Sequence, residues 1–254
     1  MKRTALITGA TAGIGKATAV RLANEGYNLI VTGRRKERLE ELQSELRTLG
    51  AEVSICSFDV RNHDQVADAI TSMMHDGHKI DVLVNNAGLA SGLDKLQDGD
   101  IEDWDKMIDT NVKGLLFVSR NVIPHMIENG SGHIVNIGSI AGKEVYPNGN
   151  VYCGTKHMVD ALNKSMRREL AEHGIKVSAV NPGAVETEFS IVRLHGDLEK
   201  AKKVYDGFEN LVAEDIADAI YFIISRPEHV NINDLIIMPK AQPAAGTVIR
   251  NKGY

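Results

Sequence analysis

Apolar residues along this chain fall into two alternating kinds of segment. Short apolar runs, typical of buried strands, occupy residues 4–8, 28–32, 52–57, 82–84, 134–137, 176–180 and 235–238. Between them, apolar residues recur every three or four positions, which predicts helices that pack by one face. Strands that alternate with helices favour an α/β fold built on a single doubly wound parallel sheet of about seven strands, flanked by helices.

The helical pattern covers most of the remaining chain. It predicts helices over residues 17–26, 35–49, 62–74, 104–111, 112–123, 152–173 and 213–225. Trp104, Met107 and Ile108 are expected to face inward on the fourth of these. Residues 186–206 have mixed polarity and are expected to form a loop with a short helix that covers the site.

Composition narrows the classes of protein that the chain can belong to. The chain has 254 residues, of which 43% are hydrophobic and 25% charged, with a formal net charge of −5. The length suits one large α/β domain or two small ones, and because no domain boundary is visible we expect one domain over residues 1–254. The composition and charge are those of a globular protein and argue against nucleic-acid and membrane partners. Two cysteines form no disulfide framework, and the apolar run after Met1-Lys2-Arg3 is too short for a signal or membrane segment. We therefore expect a cytoplasmic protein.

A glycine-rich loop follows the first predicted strand and precedes the first predicted helix. Strand, glycine loop and helix in this order indicate Rossmann-type dinucleotide binding, because glycines let the backbone approach a pyrophosphate at a helix N-terminus. The spacing is Gly-x-x-x-Gly-x-Gly rather than Gly-x-Gly-x-x-Gly. The residues expected to contact the cofactor here are Gly9, Thr11, Ala12, Gly13, Ile14 and Gly15.

Two arginines follow the second predicted strand. Many dinucleotide-binding folds carry an acidic residue here for the adenosine ribose, whereas Arg34 and Arg35 can pair with a 2′-phosphate. The alternative is that both are solvated residues at the start of a helix, where the positive end of the dipole disfavours cations. The pair predicts NADP rather than NAD.

Polar and small residues follow the third and fourth predicted strands. Asp59 and Val60 are expected near the adenine. Asp59 could accept from the exocyclic amine, cap the helix from Asn62, or do both. Asn86, Ala87 and Gly88 suit a ligand crevice at the end of a strand, and we expect them to contact the cofactor. His75 and His78 have no third ligand candidate nearby, so no metal site is predicted.

Tyr152 and Lys156 are four residues apart in a predicted helix, which places them on one face. A nearby positive charge favours the phenolate of a tyrosine and brings its pKa toward neutrality, as an acid/base group requires. A tyrosine and a lysine at this spacing are also common by chance, so the pair gains meaning from the motifs around it.

Taken together, these residues resemble the short-chain dehydrogenase/reductase family. The motifs that carry the resemblance are Thr8 to Gly15, Asn85-Asn86-Ala87-Gly88, Asn111, Ser139, Tyr152-x-x-x-Lys156 and Pro182-Gly183. The resemblance implies that Tyr152 is the general acid/base and that Ser139 binds the same substrate oxygen. It implies that Lys156 binds the nicotinamide ribose and lowers the pKa of Tyr152, and that Asn111 holds a water for proton relay. The alternatives are a turn residue for Ser139 and a helix cap for Asn111.

The resemblance also assigns the residues after the sixth predicted strand. Pro182, Gly183 and Val185 would line the cofactor site, and Thr187 would contact the nicotinamide carboxamide. Residues 187–197 and 229–235 resemble the branch of NADP-dependent 3-hydroxy acid dehydrogenases, also described as serine or allo-threonine dehydrogenases, which are usually homotetramers.

A small-molecule hydroxy acid needs a cation for its carboxylate. Arg193 is the candidate, and a surface arginine paired with Asp197 is the alternative. Cys153 is interpreted as a packing residue. Two other functions stay open: a reductase of 3-oxoacyl groups on a carrier protein or of other ketones, and a sensor that binds NADP without chemistry.

Overall fold

The chain folds around one parallel sheet with helices on both faces. A computed structural model describes residues 2–250. Its strands are β1 (Thr4–Ile7), β2 (Asn28–Gly33), β3 (Val53–Ser57), β4 (Val82–Asn85), β5 (Gly132–Ile137), β6 (Ile175–Pro182) and β7 (Asp234–Ile237). All seven pair in parallel in the order β3-β2-β1-β4-β5-β6-β7, which confirms the predicted sheet.

Nine α-helices connect or follow these strands within residues 2–250. They are α1 (Gly13–Asn24), α2 (Lys36–Thr48), α3 (His63–His75), α4 (Ile101–Ile108), α5 (Leu115–Glu128), α6 (Asn150–Glu169), α7 (Phe189–Arg193), α8 (Leu198–Tyr205) and α9 (Ala213–Ile224). None of these helices is both long and apolar enough to span a membrane.

Two apolar clusters cover the two faces of the sheet. One joins side chains of α1, α2 and α9 to the strands, including Leu22, Leu39 and Ile220. The other joins α3, α5 and α6 to the opposite face, including Ile70 and Val122. Because both faces are covered, the central strands are buried almost throughout, which is why they read as continuous apolar runs in the sequence.

The order of the strands creates a crevice beside β1. The chain passes from β1 outward to β2 and β3, and then returns to place β4 on the other side of β1. At such a switch point the connections leave in opposite directions and open a crevice at the carboxyl ends of the strands.

Helix α4 does not run directly into α5. The two are joined by one π-helical segment, Asp109–Gly114, whose wider turn changes the phase of the residues that follow. Met107 is buried and Trp104 is partly buried, but Ile108 is 39% exposed, so the expectation that Ile108 faces inward is wrong. Helix α5 also extends through Pro124 to Glu128, beyond the predicted end.

Two other boundaries differ from the sequence prediction. Helix α6 ends at Glu169 rather than near His173, and a short 3-10 turn over Ala171–His173 leads to Gly174 at φ +69°. Gly174 adopts the left-handed backbone that ends helices at low cost. Residues 186–206 contain two helices, α7 and α8, where one short helix was expected.

Candidate active site

A cleft of about 360 Å³ opens at the carboxyl ends of β1 to β6, at the switch point of the sheet. Every residue predicted to bind the cofactor lines it except Gly15. The predicted residues that line the cleft are Gly9, Thr11, Ala12, Gly13, Ile14, Arg34, Arg35, Asp59, Val60, Asn86, Ala87, Gly88, Ser139, Tyr152, Lys156, Pro182, Gly183, Val185 and Thr187. Asn111 does not line the cleft, and Arg193 lines a small neighbouring pocket that shares Tyr152 with it.

Asn86, which follows strand β4, holds the glycine loop in place. Asn86 Nδ2 donates to the carbonyl oxygens of Thr8 (2.9 Å) and Gly9 (3.2 Å). A Cβ on Gly15 would lie 2.5 Å from both Asn86 Nδ2 and the Gly9 carbonyl oxygen. Gly15 therefore lets α1 pack closely against these residues. It is not among the residues that line the cleft, and its contact with the cofactor stays a prediction.

Helix α1 begins at Gly13, and its N-cap residue Ala12 offers no side-chain acceptor. The first N–H groups of the helix are therefore available to an anion in the cleft. Gly9 and Gly13 have φ values of +65° and +51°, which glycine adopts without strain. These features of the loop fit a dinucleotide pyrophosphate.

Arginines surround the far end of the cleft. Arg35 Nη2 and Nε donate to Thr11 Oγ1 of the glycine loop at 2.8 and 3.2 Å. Arg34 is 60% exposed and lies 3.7 Å from Asp59 Oδ2. Both arginines border the cleft rather than pointing away from it, and their side chains suit a phosphate monoester.

Asp59 does not cap helix α3. The N-cap is Asn62, whose side-chain oxygen accepts from the backbone N–H groups of Asp64 and Gln65. Asp59 instead accepts from the guanidinium of Arg61. Burial raises the pKa of Asp59, but the hydrogen bonds and charge of Arg61 outweigh it, so the net pKa is lowered and the carboxylate stays ionised.

Tyr152 and Lys156 lie on the first turns of α6, buried against the cleft. Burial raises the pKa of Tyr152, opposed by the Ser139 hydroxyl and the charge of Arg193. The net shift therefore runs against the lowering that the sequence suggested. In the protein alone, burial of the phenol outweighs the hydrogen bond of Ser139 and the charge of Arg193.

Lys156 is fixed by the end of strand β5. Its Nζ donates to the Ile137 carbonyl oxygen at 2.9 Å. Burial lowers the pKa of Lys156 to about 8, because the charged ammonium loses water that one carbonyl replaces only in part. A lysine with a pKa near 8 can exchange a proton close to neutral pH.

Asn111 lies within the π-helical segment between α4 and α5. Its Oδ1 accepts from the Leu89 backbone N–H (2.8 Å), and its Nδ2 donates to the Leu89 carbonyl oxygen (2.8 Å) and to Thr155 Oγ1 (3.0 Å). These bonds use both polar atoms of the side chain, and they connect α6 to the loop after β4. A single π turn often marks a functional site, and this one sets the backbone beside Lys156.

Ser139 lies two residues after strand β5 and caps the short turn Ile140–Gly142. Its hydroxyl oxygen accepts from the Ala141 backbone N–H at 3.1 Å. The turn role offered as an alternative is therefore present, and it holds the hydroxyl in the cleft beside Tyr152.

Arg193 reaches over Tyr152 from helix α7. Its guanidinium carbon is 5.6 Å from the centre of the Tyr152 ring, and Nη1 donates to the Tyr146 hydroxyl at 2.9 Å. The alternative pairing with Asp197 is not formed, because Asp197 pairs with Lys200 instead. Nη2 of Arg193 is buried and has no hydrogen-bond partner among residues 2–250.

The model of the family described as short chain dehydrogenase matches residues 3–196. The chain belongs to the short-chain dehydrogenase/reductase family. An NADP-dependent 3-hydroxy acid dehydrogenase of Salmonella typhi is 46% identical over 242 residues, covering 95% of this chain and 96% of the relative. A serine 3-dehydrogenase of Agrobacterium fabrum is 42% identical over 246 residues, covering 97% of each.

Solved structures of short-chain dehydrogenases superpose on the whole fold. The closed form of a serine dehydrogenase complexed with NADP+ matches with a TM-score of 0.92 and 43% identity, over 98% of this chain and all of that one. Serine dehydrogenase from Escherichia coli matches with a TM-score of 0.81 and 39% identity, covering 94% and 99%. This chain is an NADP-dependent oxidoreductase, as the arginines after β2 predicted.

Several cleft residues of this short-chain dehydrogenase were missed in the sequence. They are Gly33, Phe58, Leu89, Thr110, Ile137, Gly138, Glu188, Phe189 and Val192. Most of these residues are apolar or small, so their residue types gave no sign that they line the cleft. Glu188 is different, because its carboxylate pairs with Arg35 and Arg38, 153 and 150 residues earlier in the chain.

Cys153 is buried beside Tyr152, and burial raises the pKa of its thiol, as suits a packing residue.

Residues 2–250 contain no group of three or more side chains placed to hold a metal ion.

Proposed function

We propose that this enzyme transfers a hydride between NADP and C3 of small 3-hydroxy acids such as serine, allo-threonine and 3-hydroxyisobutyrate. The observation that carries the proposal is the buried Arg193 Nη2, which has no partner among residues 2–250 and lies against the ring of Tyr152. A buried donor without a partner is costly, and a substrate carboxylate would satisfy it. The names of the serine and 3-hydroxy acid dehydrogenases support the same substrate class.

Four side chains of the protein would carry the proton chemistry. Tyr152 would give or take the proton of the C3 oxygen, and Ser139 beside it would hold that oxygen by a hydrogen bond. Lys156 would bind the nicotinamide ribose, and with a pKa near 8 it could pass on the proton that Tyr152 exchanges. Asn111 would hold a water through its backbone at the end of this relay. NADP, when bound, accepts or supplies the hydride.

The cofactor-binding roles follow the lining of the cleft. The glycine loop would hold the pyrophosphate, Arg34 and Arg35 the 2′-phosphate, and Asp59 and Val60 the adenine. Asn86, Ala87, Gly88, Pro182, Gly183 and Val185 would line the remainder, and Thr187 would contact the carboxamide.

We also propose that residues 1–254 form one catalytic domain that works in the cytoplasm as a homotetramer. Exposed apolar side chains on two separate surfaces support the assembly, Leu116 and Met158 on α5 and α6, and Phe222 and Ile236 on α9 and β7. Its mass in solution, measured by light scattering, should be about four times that of the 27.7 kDa chain.

The substrate class is tested by following NADPH absorbance with a panel of alcohols. Serine, allo-threonine, 3-hydroxyisobutyrate and 3-hydroxypropionate should be oxidised with NADP, and an uncharged secondary alcohol of similar size far less. Arg193→Met should raise KM for the hydroxy acids by about tenfold or more, because a charged hydrogen bond of about 1.5–3 kcal/mol is lost. The matched control is Lys200→Met, an exposed cation of the same segment.

Two results would contradict the proposal. If Arg193→Met slowed the uncharged alcohol as much as the acids, Arg193 would not recognise the carboxylate. If no hydroxy acid were turned over while NADP still bound, a 3-oxoacyl carrier-protein substrate or another ketone would take their place.

A further inference from the structure

Glu188 places a carboxylate at the edge of the cofactor cleft, between strand β6 and helix α7. Its Oε1 accepts from Arg38 Nη1 at 2.8 Å, and its Oε2 accepts from Arg35 Nη1 at 3.1 Å. The hydrogen bond from Arg38, with a smaller contribution from Arg35, holds the pKa of Glu188 below its usual range. The carboxylate is therefore ionised at neutral pH, and it already occupies both arginines in the protein alone.

Arg35 is the residue at which this ion pair meets the cofactor site. Its Nε and Nη2 donate to Thr11 Oγ1 of the glycine loop at 3.2 and 2.8 Å, and its Nη1 donates to Glu188. Arg38 is not among the residues within 2–250 that line the cleft. A guanidinium has five N–H donors, so Arg35 can bind a second anion beside Glu188. The two anions would then share one positive charge.

The positive charges at this end of the cleft outnumber the carboxylates beside them. The cluster pairs two carboxylates with four guanidinium groups, and its members are Asp59, Glu188, Arg34, Arg35, Arg38 and Arg61. A phosphate monoester carries about −1.5 to −2 charges at neutral pH, so the cluster as a whole attracts it. The carboxylate of Glu188 reduces this attraction and does not abolish it.

We propose that Glu188 is a specificity-determining residue that weakens binding of the 2′-phosphate by competing for Arg35. Two anions that are held by one guanidinium lie close together and repel each other. The 2′-hydroxyl of NAD carries no charge and is not repelled. Glu188 therefore limits the preference for NADP over NAD and makes the bound phosphorylated cofactor easier to release. The proposal rests on the proposed placement of the phosphate at Arg34 and Arg35.

An anchoring role for Glu188 would have the opposite effect. If the carboxylate mainly held Arg35 in the orientation that the phosphate needs, its removal would weaken phosphate binding. Two observations favour competition instead. Arg35 is already oriented by two hydrogen bonds to Thr11, and the shorter hydrogen bond of Glu188 is made to Arg38, outside the lining of the cleft.

The competition is measured by titrating the protein with NADPH and with NADH, without substrate, and following the fluorescence of the reduced nicotinamide. Glu188→Gln should lower the Kd for NADPH about three- to fivefold, the scale of a partly exposed charge pair, and should lower the Kd for NADH far less. The gain for NADPH should shrink when sodium chloride is raised from about 0.05 M to about 0.5 M, because salt screens the repulsion.

Glu186→Gln is the matched control, because it removes the same charge two residues away. Glu186 is exposed and makes no ion pair within residues 2–250. This variant should keep the wild-type ratio of the two Kd values. An equal gain in Glu186→Gln would show that the net charge of the protein, and not competition for Arg35, sets the affinity.

A further variant separates the competition from the placement of the phosphate. Arg35→Gln should weaken binding of NADPH at least about fivefold more than binding of NADH, because it removes a charged hydrogen bond to the phosphate. An equal effect on both cofactors would overturn the placement, and the competition with it.

The remaining outcomes bear on Glu188 alone. If Arg35→Gln behaves as expected while Glu188→Gln weakens NADPH binding, tightens both cofactors equally or gives a gain that salt does not reduce, the competition is wrong and the placement stands. No hydroxy acid is present in these titrations, so the result does not depend on the assignment of the substrate.

Discussion

At the scale of single residues, Tyr152 presents the main chemical problem of this site. Its phenol is buried, and burial favours the protonated form, while an acid/base group must change protonation readily. The protein offsets this with polar and cationic groups on several elements, Ser139 after β5 and Arg193 on α7. Lys156 adds a buried amine whose own pKa is near 8. Removing the phenol oxygen should therefore remove chemistry and leave binding.

Replacing Tyr152 with phenylalanine tests this directly. We expect kcat to fall by about 10²–10⁴, the usual contribution of a general acid or base, while the dissociation constant of NADPH changes by less than about twofold. Turnover is followed by absorbance and binding by NADPH fluorescence. Tyr27→Phe is the matched control, because Tyr27 lies before β2 at the amino ends of the strands, away from the cleft. Retention of a tenth of the activity in Tyr152→Phe would exclude the phenol as the acid/base.

Which residues the sequence could predict depended on where their partners lie. Tyr152 and Lys156 share one helix, so their spacing indicated a site before the fold was known. Asp59 was assigned a possible capping role that belongs to Asn62, because the choice between two nearby residues depends on backbone angles. Glu188 carried no local signal, since Arg35 and Arg38 approach it only after the sheet has formed.

At the scale of elements, all seven strands were predicted within one or two residues. The central strands β4 and β5 are buried on both faces and therefore read as apolar runs, whereas the partly exposed edge strand β7 was indicated by four consecutive apolar residues. The π-helical segment Asp109–Gly114 was missed. A helical pattern carries across one extra residue with only a change of phase, and residue type does not reveal that change.

Strand β5 contains a buried histidine that should make the fold sensitive to acid. Burial, with the nearby charges of Lys176 and Arg3, lowers the pKa of His133 to about 3, and its Nε2 lies 2.8 Å from Ser178 Oγ. The unfolded chain binds a proton near pH 6.5, so between about pH 6.5 and pH 3 it holds more protons than the folded chain. This contribution to stability is complete above pH 6.5 and is lost as the pH falls.

The prediction for β5 is measured by urea unfolding between pH 7 and pH 4. The free energy of unfolding of the wild type should fall with decreasing pH by up to about 1.4 kcal/mol per unit more than that of His133→Gln. His63→Gln is the control for replacing a histidine, because the side chain of His63 is 43% exposed. Parallel curves for wild type and His133→Gln would show that this histidine does not titrate on unfolding.

At the scale of the whole molecule, the site is assembled from parts of the chain that are far apart in sequence. The cleft joins residues that follow β1 to β6, and residues 186–206, called here the cover segment, reach back to α2 and to the loop after β4. The doubly wound parallel sheet predicted from alternating strands and helices was enough to place the cleft at the carboxyl ends of its strands. It did not predict how the cover segment is fastened, which depends on side-chain contacts between distant elements.

The attachments of the cover segment have a consequence for how the enzyme is inactivated. Those to Gly92 and Arg38 close loops of about 100 and 150 residues, and Arg250 donates to the Val204 carbonyl oxygen near the end of the segment. They consist of exposed ion pairs and a few hydrogen bonds, whereas the central strands below are buried on both faces. Mild heating or low urea should therefore release the cover while helices and strands persist. We expect activity to disappear at a lower urea concentration than the circular dichroism of the fold, and to return at once on dilution. Coincident transitions would mean that the cover segment and the sheet unfold in one step.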